Sequence, residues 1–214
     1  MKKLTFISKE EIKKRCSGLI KENKLIEENF SKSGASYDLR LGEEVLVTPQ
    51  KVPQRLEYGE TTNIESGQFA ILTTEEYLQM PKDLLGFITV RFRYKSKGLV
   101  NISGFHVDPG FEGKLIFSVY NAGPTTVTLR RGETVFSIFF AEIDPKVEYK
   151  GDYSKQVNIP IDIVETFAGA RVPSLQALED RVNRNWAALK IYGTILTGLV
   201  VTLLGVIISR LLGI

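Results

Sequence analysis

The amino-acid sequence predicts a mainly β domain with a jelly-roll-like barrel architecture, opened by a short N-terminal helix and followed by a C-terminal helical stalk and one transmembrane helix. From Tyr37 to about Tyr149, short apolar runs rich in β-branched and aromatic residues alternate with turn signals such as Gly42, Pro49, Gly67, Pro81, Pro109–Gly110, Gly123–Pro124 and Gly132. That texture predicts many short strands. At the other end of the chain, Ile191–Ser209 carries no charged side chain over 19 positions and is bracketed by Lys190 and Arg210. At ~1.5 Å per residue the run reaches about 28 Å, close to the ~30 Å hydrocarbon thickness of a bilayer.

The first element rests on Ser8 followed by Glu11, a capping-box spacing, after which Ile12, Cys16, Leu19 and Ile20 recur on one helical face. Gly18 and Asn23 predict that this helix ends early. Two strands are legible residue by residue. In Ile88–Lys95, the apolar Ile88, Val90, Phe92 and Tyr94 alternate with Thr89, Arg91, Arg93 and Lys95, which predicts that the basic side chains share one strand face. In Leu115–Tyr120, Ser118 is predicted to share its face with Ile116 and Tyr120.

Residues 151–173 read as a connector, punctuated by Gly151, Pro160, Gly169 and Pro173. Ser174 then caps an amphipathic stalk helix over 174–190, in which Leu175, Leu178, Val182 and Leu189 fall at a/d-like spacings and Asn185 interrupts the series. The stalk leads into the transmembrane helix at 191–212. The predicted organisation is therefore a domain over 1–150, the connector, the stalk and the span.

Twenty-eight basic and 25 acidic residues leave a net charge of +3, with no long basic block; this argues against a nucleic-acid partner. A single cysteine, Cys16, cannot form an intramolecular disulfide, and the N-terminal MKKLTFISKEE has no apolar core of a secretory signal. Both fit a reducing compartment. Arg181, Arg184 and Lys190 precede the span whereas only Arg210 follows it, so the positive-inside tendency predicts a single-pass C-terminal membrane anchor with the N-terminal domain cytoplasmic. Membrane lipid is accordingly an expected partner.

Four segments in a fixed order carry more specific information: SYDLRLGEEV (Ser36–Val45), SGQFAILTTEEYLQMPKDLLGFI (Ser66–Ile88), VDPGFEGKL (Val107–Leu115) and YNAG (Tyr120–Gly123), followed by LRRGETVFSIFF. Together they resemble the dCTP deaminase and dUTPase superfamily, and the dCTP deaminase branch most closely. The resemblance implies a dUTPase-like distorted β-barrel subunit, a homotrimer, and deoxynucleotide sites between neighbouring subunits. It also implies deamination without a required cofactor, in which a glutamate activates the water that attacks cytosine C4; magnesium enters only as a nucleotide counter-ion. The residues are consistent with a zinc-free site, because a lone Cys16 and a lone His106 cannot supply the Cys/His cluster of a zinc deaminase.

Three positions depart from the family pattern. Ser118 stands where the resemblance implies the glutamate, and a serine hydroxyl offers no carboxylate near neutral pH to take up a proton. The phosphate segment, approximately R-S-S-L-A-R in the family, reads Arg91-Phe92-Arg93-Tyr94-Lys95-Ser96 here, and Ser137 replaces a common glutamine. Arg91, Arg93, Lys95, Asp108 and Asn121 are the expected nucleotide-binding residues, with His106 a further possible contact and Asp108 and Glu112 the available carboxylates. Asp108 matches the aspartate that orients sugar and water in dUTPase-type sites, and Asp-Pro-Gly is also a turn sequence in its own right.

Three functional readings follow. The first is a membrane-anchored nucleotide-binding protein with impaired catalysis, acting as a nucleotide sensor or membrane effector. The second is a divergent active dCTP deaminase or dUTP pyrophosphatase of pyrimidine deoxynucleotide metabolism. The third is an oligomerisation scaffold that binds no nucleotide.

Overall fold

The computed structural model describes residues 5–15, 20, 25–144, 149–168 and 175–212. The chain divides into two compact units, Met1–Ser174 and Leu175–Ile214. In the first, α1 (Lys9–Arg15) follows Ser8, whose carbonyl accepts from the Ile12 amide at 2.8 Å. Ile12 is buried on the helix as the pattern expects; Ile20 is buried too, but through a β-bridge to Leu78 beyond the end of α1; Cys16, Gly18, Leu19 and Asn23 lie outside the described residues.

The strands are β1 (Tyr37–Val47), β2 (Gln54–Arg55), β3 (Thr61–Ile64), β4 (Phe69–Gln79), β5 (Leu84–Val90), β6 (Leu99–Asn101), β7 (His106–Val107), β8 (Glu112–Asn121), β9 (Val127–Arg130) and β10 (Thr134–Glu142). One antiparallel sheet runs in the order β6-β8-β4-β1-β10-β5-β7, with β2 also on β1, and β3 pairs separately with β9. The curl of the large sheet originates in β1. Its first half, Tyr37–Arg40, pairs with β10, and its second half, from Leu41, pairs with β4. Register shifts interrupt both ladders, and such irregularities bend a strand and increase its twist. The result is the mainly β, curled sheet that the sequence predicts.

Large apolar side chains from both halves of the sheet fill its concave side, including Tyr37, Phe117, Phe136 and Phe140, all fully buried. Phe117 and Phe136 stack with ring centroids 3.8 Å apart. A charged pair links β1 and β4: Glu76, fully buried, accepts from Arg40 Nε at 2.7 Å and from the Arg40 amide at 2.8 Å. Burial raises the Glu76 carboxyl above its ordinary value in spite of the Arg40 guanidinium.

The predicted strand over Ile88–Lys95 is corrected by the structure. β5 ends at Val90, and Phe92–Lys95 form a single helical turn, α2, with the Ser96 amide donating to the Phe92 carbonyl at 2.8 Å. Tyr94 is buried in the core whereas Phe92 is 79% exposed. A strand would have put the two rings on one face; the turn separates them and removes the shared basic face with it.

Part of the predicted connector is also ordered against the sheet. α3 (Ile161–Ala168) packs Ile163, Val164 and Phe167 over Leu46, Ile71 and Ile159. Its sequence, IDIVETFA, sets those three residues at helical spacing on one face. Ser174, the expected cap of the stalk, is outside the described residues.

In the second unit, α4 is one continuous helix, Leu175–Leu212. Within it Leu178–Leu212 is long and apolar enough to cross a membrane, with a mean hydropathy of 2.3 over its most apolar window and none of that window buried.

Candidate functional site

Burial alternates along β8. Leu115, Phe117 and Val119 face the core, while Ile116, Ser118 and Tyr120 are half-buried on the opposite face, as the sequence predicts. A cavity of about 330 Å³ opens beside Ile116 and Ser118. β7 and the turn that follows it supply His106, Asp108 and Phe111. Pro109 and Gly110 make that turn: the Phe111 amide donates to the Asp108 carbonyl at 3.2 Å, with Gly110 at a φ of +77°.

The remaining wall comes from the segment after β10, through Tyr149, Tyr153 and Gln156. It is seated on the start of β8 by backbone hydrogen bonds, from the Lys155 amide to the Glu112 carbonyl at 2.6 Å and from the Lys114 amide to the Gln156 carbonyl at 2.9 Å. Gly113 permits this approach. Its φ is +147°, and a Cβ there would meet Gln156 backbone and side-chain atoms at 3.1–3.2 Å. Tyr149 packs edge-on against Phe111 with centroids 5.4 Å apart, and the Tyr153 hydroxyl donates to Asp162 of α3 at 2.8 Å. Ile163 of α3 completes the lining, so the arm and α3 close the cavity together.

Two polar features stand out inside. His106 Nε2 lies 3.4 Å from Asp108 Oδ1, both side chains being about half exposed. Gln156 Nε2 donates to the Lys114 carbonyl at 3.0 Å, which fixes the amide orientation and leaves Oε1 buried without a donor. Among the described residues, no group of three or more His, Cys, Asp or Glu side chains is arranged to hold a metal ion.

Of the residues selected from the sequence, the cavity brings together Ser118, Asp108 and His106. Asn121 is fully buried elsewhere: its Nδ2 donates to the Ile64 and Thr125 carbonyls at 2.8 and 2.9 Å, and its Oδ1 accepts from the Gly123 amide at 3.0 Å. Those bonds tie down the YNAG turn. Glu112 does not line the cavity; it accepts from the Tyr77 hydroxyl at 3.0 Å and from Gln79 Nε2 at 3.3 Å.

Arg91, Arg93 and Lys95 are also absent from the lining, and each has a local partner. Arg91 Nε is 3.1 Å from Asp38 Oδ2, and its Nη1 donates to the Thr134 hydroxyl. Arg93 pairs with Glu133 at 2.7 Å, and Lys95 Nζ donates to the Thr89 hydroxyl at 3.2 Å. The second oxygen of Asp38 accepts from Ser137 Oγ at 2.6 Å. Ser137 therefore braces the carboxylate that holds Arg91. Sequence reasoning missed this arrangement and the inward placement of Gln156, which lies in the segment read as a connector.

Comparison with known proteins decides the family. A family model described as dCTP deaminase-like matches residues 6–143. The chain belongs to the dCTP deaminase-like family. A dCTP deaminase of Pyrobaculum aerophilum is 33% identical over 164 residues, covering 70% of this chain and 92% of that protein. A probable deoxyuridine 5'-triphosphate nucleotidohydrolase of Sulfolobus islandicus rod-shaped virus 1 is 30% identical over 141 residues, covering 65% and 85%. The crystal structure of the 2'-deoxycytidine 5'-triphosphate deaminase from Agrobacterium tumefaciens superposes with a TM-score of 0.56 at 17% identity, covering 66% of this chain and 49% of that one; it supports the dCTP deaminase-like fold. The family match stops at residue 143, before α3 and α4.

Proposed function

We propose that this protein is a membrane-anchored, self-associating nucleotide-binding member of the dCTP deaminase-like family, with impaired catalysis, that senses a pyrimidine deoxynucleoside triphosphate. The observation that carries this reading is the cavity itself, where aromatic rings, Asp108, His106 and an unsatisfied Gln156 acceptor surround Ser118. About 330 Å³ is within the range of small-ligand pockets. A buried acceptor without a donor is costly, and the exocyclic amine of cytosine would satisfy Gln156 Oε1 where the uracil carbonyl would not. The preferred ligand is therefore dCTP.

Attack of water on cytosine C4 needs a group that takes the water proton, and the resemblance assigns that task to a glutamate at the Ser118 position. Ser118 can donate or accept a hydrogen bond there but cannot hold the proton at neutral pH. Binding without appreciable turnover follows. No protein-bound metal is required; magnesium accompanies the triphosphate as its counter-ion.

Membrane anchoring is supported by α4, whose Leu196, Leu199, Leu203 and Leu204 are all more than half exposed. An uncharged run of this length, unburied among the described residues, fits a bilayer better than water. The excess of basic residues before the span supports a cytoplasmic β domain. Exposed Phe92 and Phe105, 79% and 65% accessible, support self-association of the domain; a homotrimer is the assembly that the resemblance implies.

A second reading, an active deaminase or dUTP pyrophosphatase, is favoured by one observation: His106 and Asp108 sit 3.4 Å apart in the same cavity and supply titratable groups. Titration of the full-length protein in detergent with dCTP, dUTP and ribonucleotides, with product analysis of each mixture, separates the readings. Selective thermal stabilisation by dCTP with no dUTP formed supports the first. Product formation abolished by Asp108→Asn supports the second, and no stabilisation by any nucleotide leaves the non-binding scaffold.

A further inference from the structure

A second cavity, of about 710 Å³, shares no lining residue with the first. It is formed by the turn at Tyr58–Gly59, the outer face of β9, the turn into β10, and Arg93 and Lys97 at the end of α2. β9 alternates so that Val127 and Leu129 enter the core while Thr128 and Arg130 point outward, and Arg130 is the cross-strand partner of Thr61. Arg130 and the Thr61 hydroxyl are thereby presented side by side at the cavity wall.

The charge balance there is one-sided. Arg93, Lys97, Arg130 and Arg131 face a single lining carboxylate, Glu133. Arg93 takes that carboxylate at 2.7 Å, and Arg131 is satisfied from behind by Glu75 at 3.2 Å and by the Leu56 carbonyl at 2.7 Å. Lys97 and Arg130 have no carboxylate partner among the described residues, and Lys97 Nζ lies 6.0 Å from the Tyr94 ring. Two unmatched cations and a hydroxyl lining one concavity form a receptor for a multiply charged anion with several acceptor oxygens.

We propose that this cavity is a second ligand site, separate from the one beside Ser118, and that it binds a phosphate-bearing anion through Lys97, Arg130 and Thr61. The phosphates belong either to a free oligophosphate or to the headgroup of an anionic lipid.

The test is calorimetric titration of sodium tripolyphosphate into the full-length protein in neutral detergent at low ionic strength, alongside a Lys97→Gln/Arg130→Gln double variant and a charge-conserving Lys97→Arg/Arg130→Lys variant. Saturable binding is expected to weaken about tenfold or more in the glutamine variant, to persist in the charge-conserving one, and to fall with added salt. Equal thermal unfolding of the unliganded proteins establishes that the fold is unchanged. Repeating the titration in phosphatidylcholine and in phosphatidylglycerol nanodiscs assigns the source: loss of tripolyphosphate binding only in phosphatidylglycerol identifies lipid headgroups, and equal binding in both identifies a free oligophosphate. Absence of binding, or equal affinity in wild type and the glutamine variant, overturns the proposal.

Discussion

Ser137 Oγ donates a 2.6 Å hydrogen bond to Asp38 Oδ1, across 99 residues of sequence, and both residues are buried. Asp38 in turn holds Arg91 at 3.1 Å, so the Ser137 hydroxyl restrains the Arg91 guanidinium through that carboxylate. A hydrogen bond to a buried charged group contributes about 1.5–3 kcal/mol. Ser137→Ala is expected to lower unfolding free energy by about that amount, measured by chemical denaturation of the full-length protein.

Arg40 and Glu76 allow a pH test. Removing one member of a buried pair strands the other, so Glu76→Ala is expected to destabilise by about 3–5 kcal/mol. The folded state raises the Glu76 carboxyl, chiefly by burial, and so binds its proton more tightly than the unfolded chain does. The stabilisation linked to that proton is complete below the unfolded value near 4.5 and is lost as pH rises through the raised folded value. Wild type should therefore lose stability relative to Glu76→Gln as pH rises from 4.5 toward neutrality; a difference independent of pH would contradict the assignment.

Tyr94 gives the alkaline counterpart. Its hydroxyl is buried beside Glu133 without a well-formed hydrogen bond, and burial pushes its pKa up to about 12. The unfolded chain ionises first, near 10, so stability falls between those two values as pH rises. Tyr94→Phe is expected to flatten that alkaline loss, read from thermal unfolding across the interval.

The arm and α3 are expected to respond as one body. Phe167 is half-buried on Leu46 and Ile71, and Phe167→Ala is expected to weaken α3 docking by about 1–2 kcal/mol. The measurement is limited proteolysis: cleavage near residues 149–160 should accelerate in the variant, and dCTP should slow it in wild type.

Alkaline carbonate extraction tests the anchor. Full-length protein is expected to stay with the membrane fraction, and a truncation after Ser174 is expected to be released.

Strand texture was legible because short β-branched runs between turn residues have few other uses, and Ser118 was correctly oriented because strand alternation persists along the whole of β8. The same rule failed two positions beyond Val90. Four residues of apolar and basic alternation are equally compatible with one helical turn, and burial of Tyr94, an effect of tertiary packing, decided between them. Long-range pairs such as Asp38–Ser137 and Arg40–Glu76 left no local trace, since nothing in spacing marks partners on different strands. Asn121 is a related case: an amide that looks available in sequence makes two bonds within its own turn and a third to Ile64 on β3. α3 was hidden by the Gly and Pro residues on either side of it, although its Ile163, Val164 and Phe167 carry a helical pattern.

On the proposed reading, the cavity beside Ser118 holds a cytosine deoxynucleotide without converting it. The most direct measurement is equilibrium binding of dCTP to the full-length protein, with chromatographic analysis of the same sample for dUTP and ammonia. Saturable binding that is lost in Gln156→Ala, with dUTP at the level of a protein-free control, is the predicted result. Catalytic formation of dUTP by the wild-type protein, or no dCTP binding at all, would contradict it.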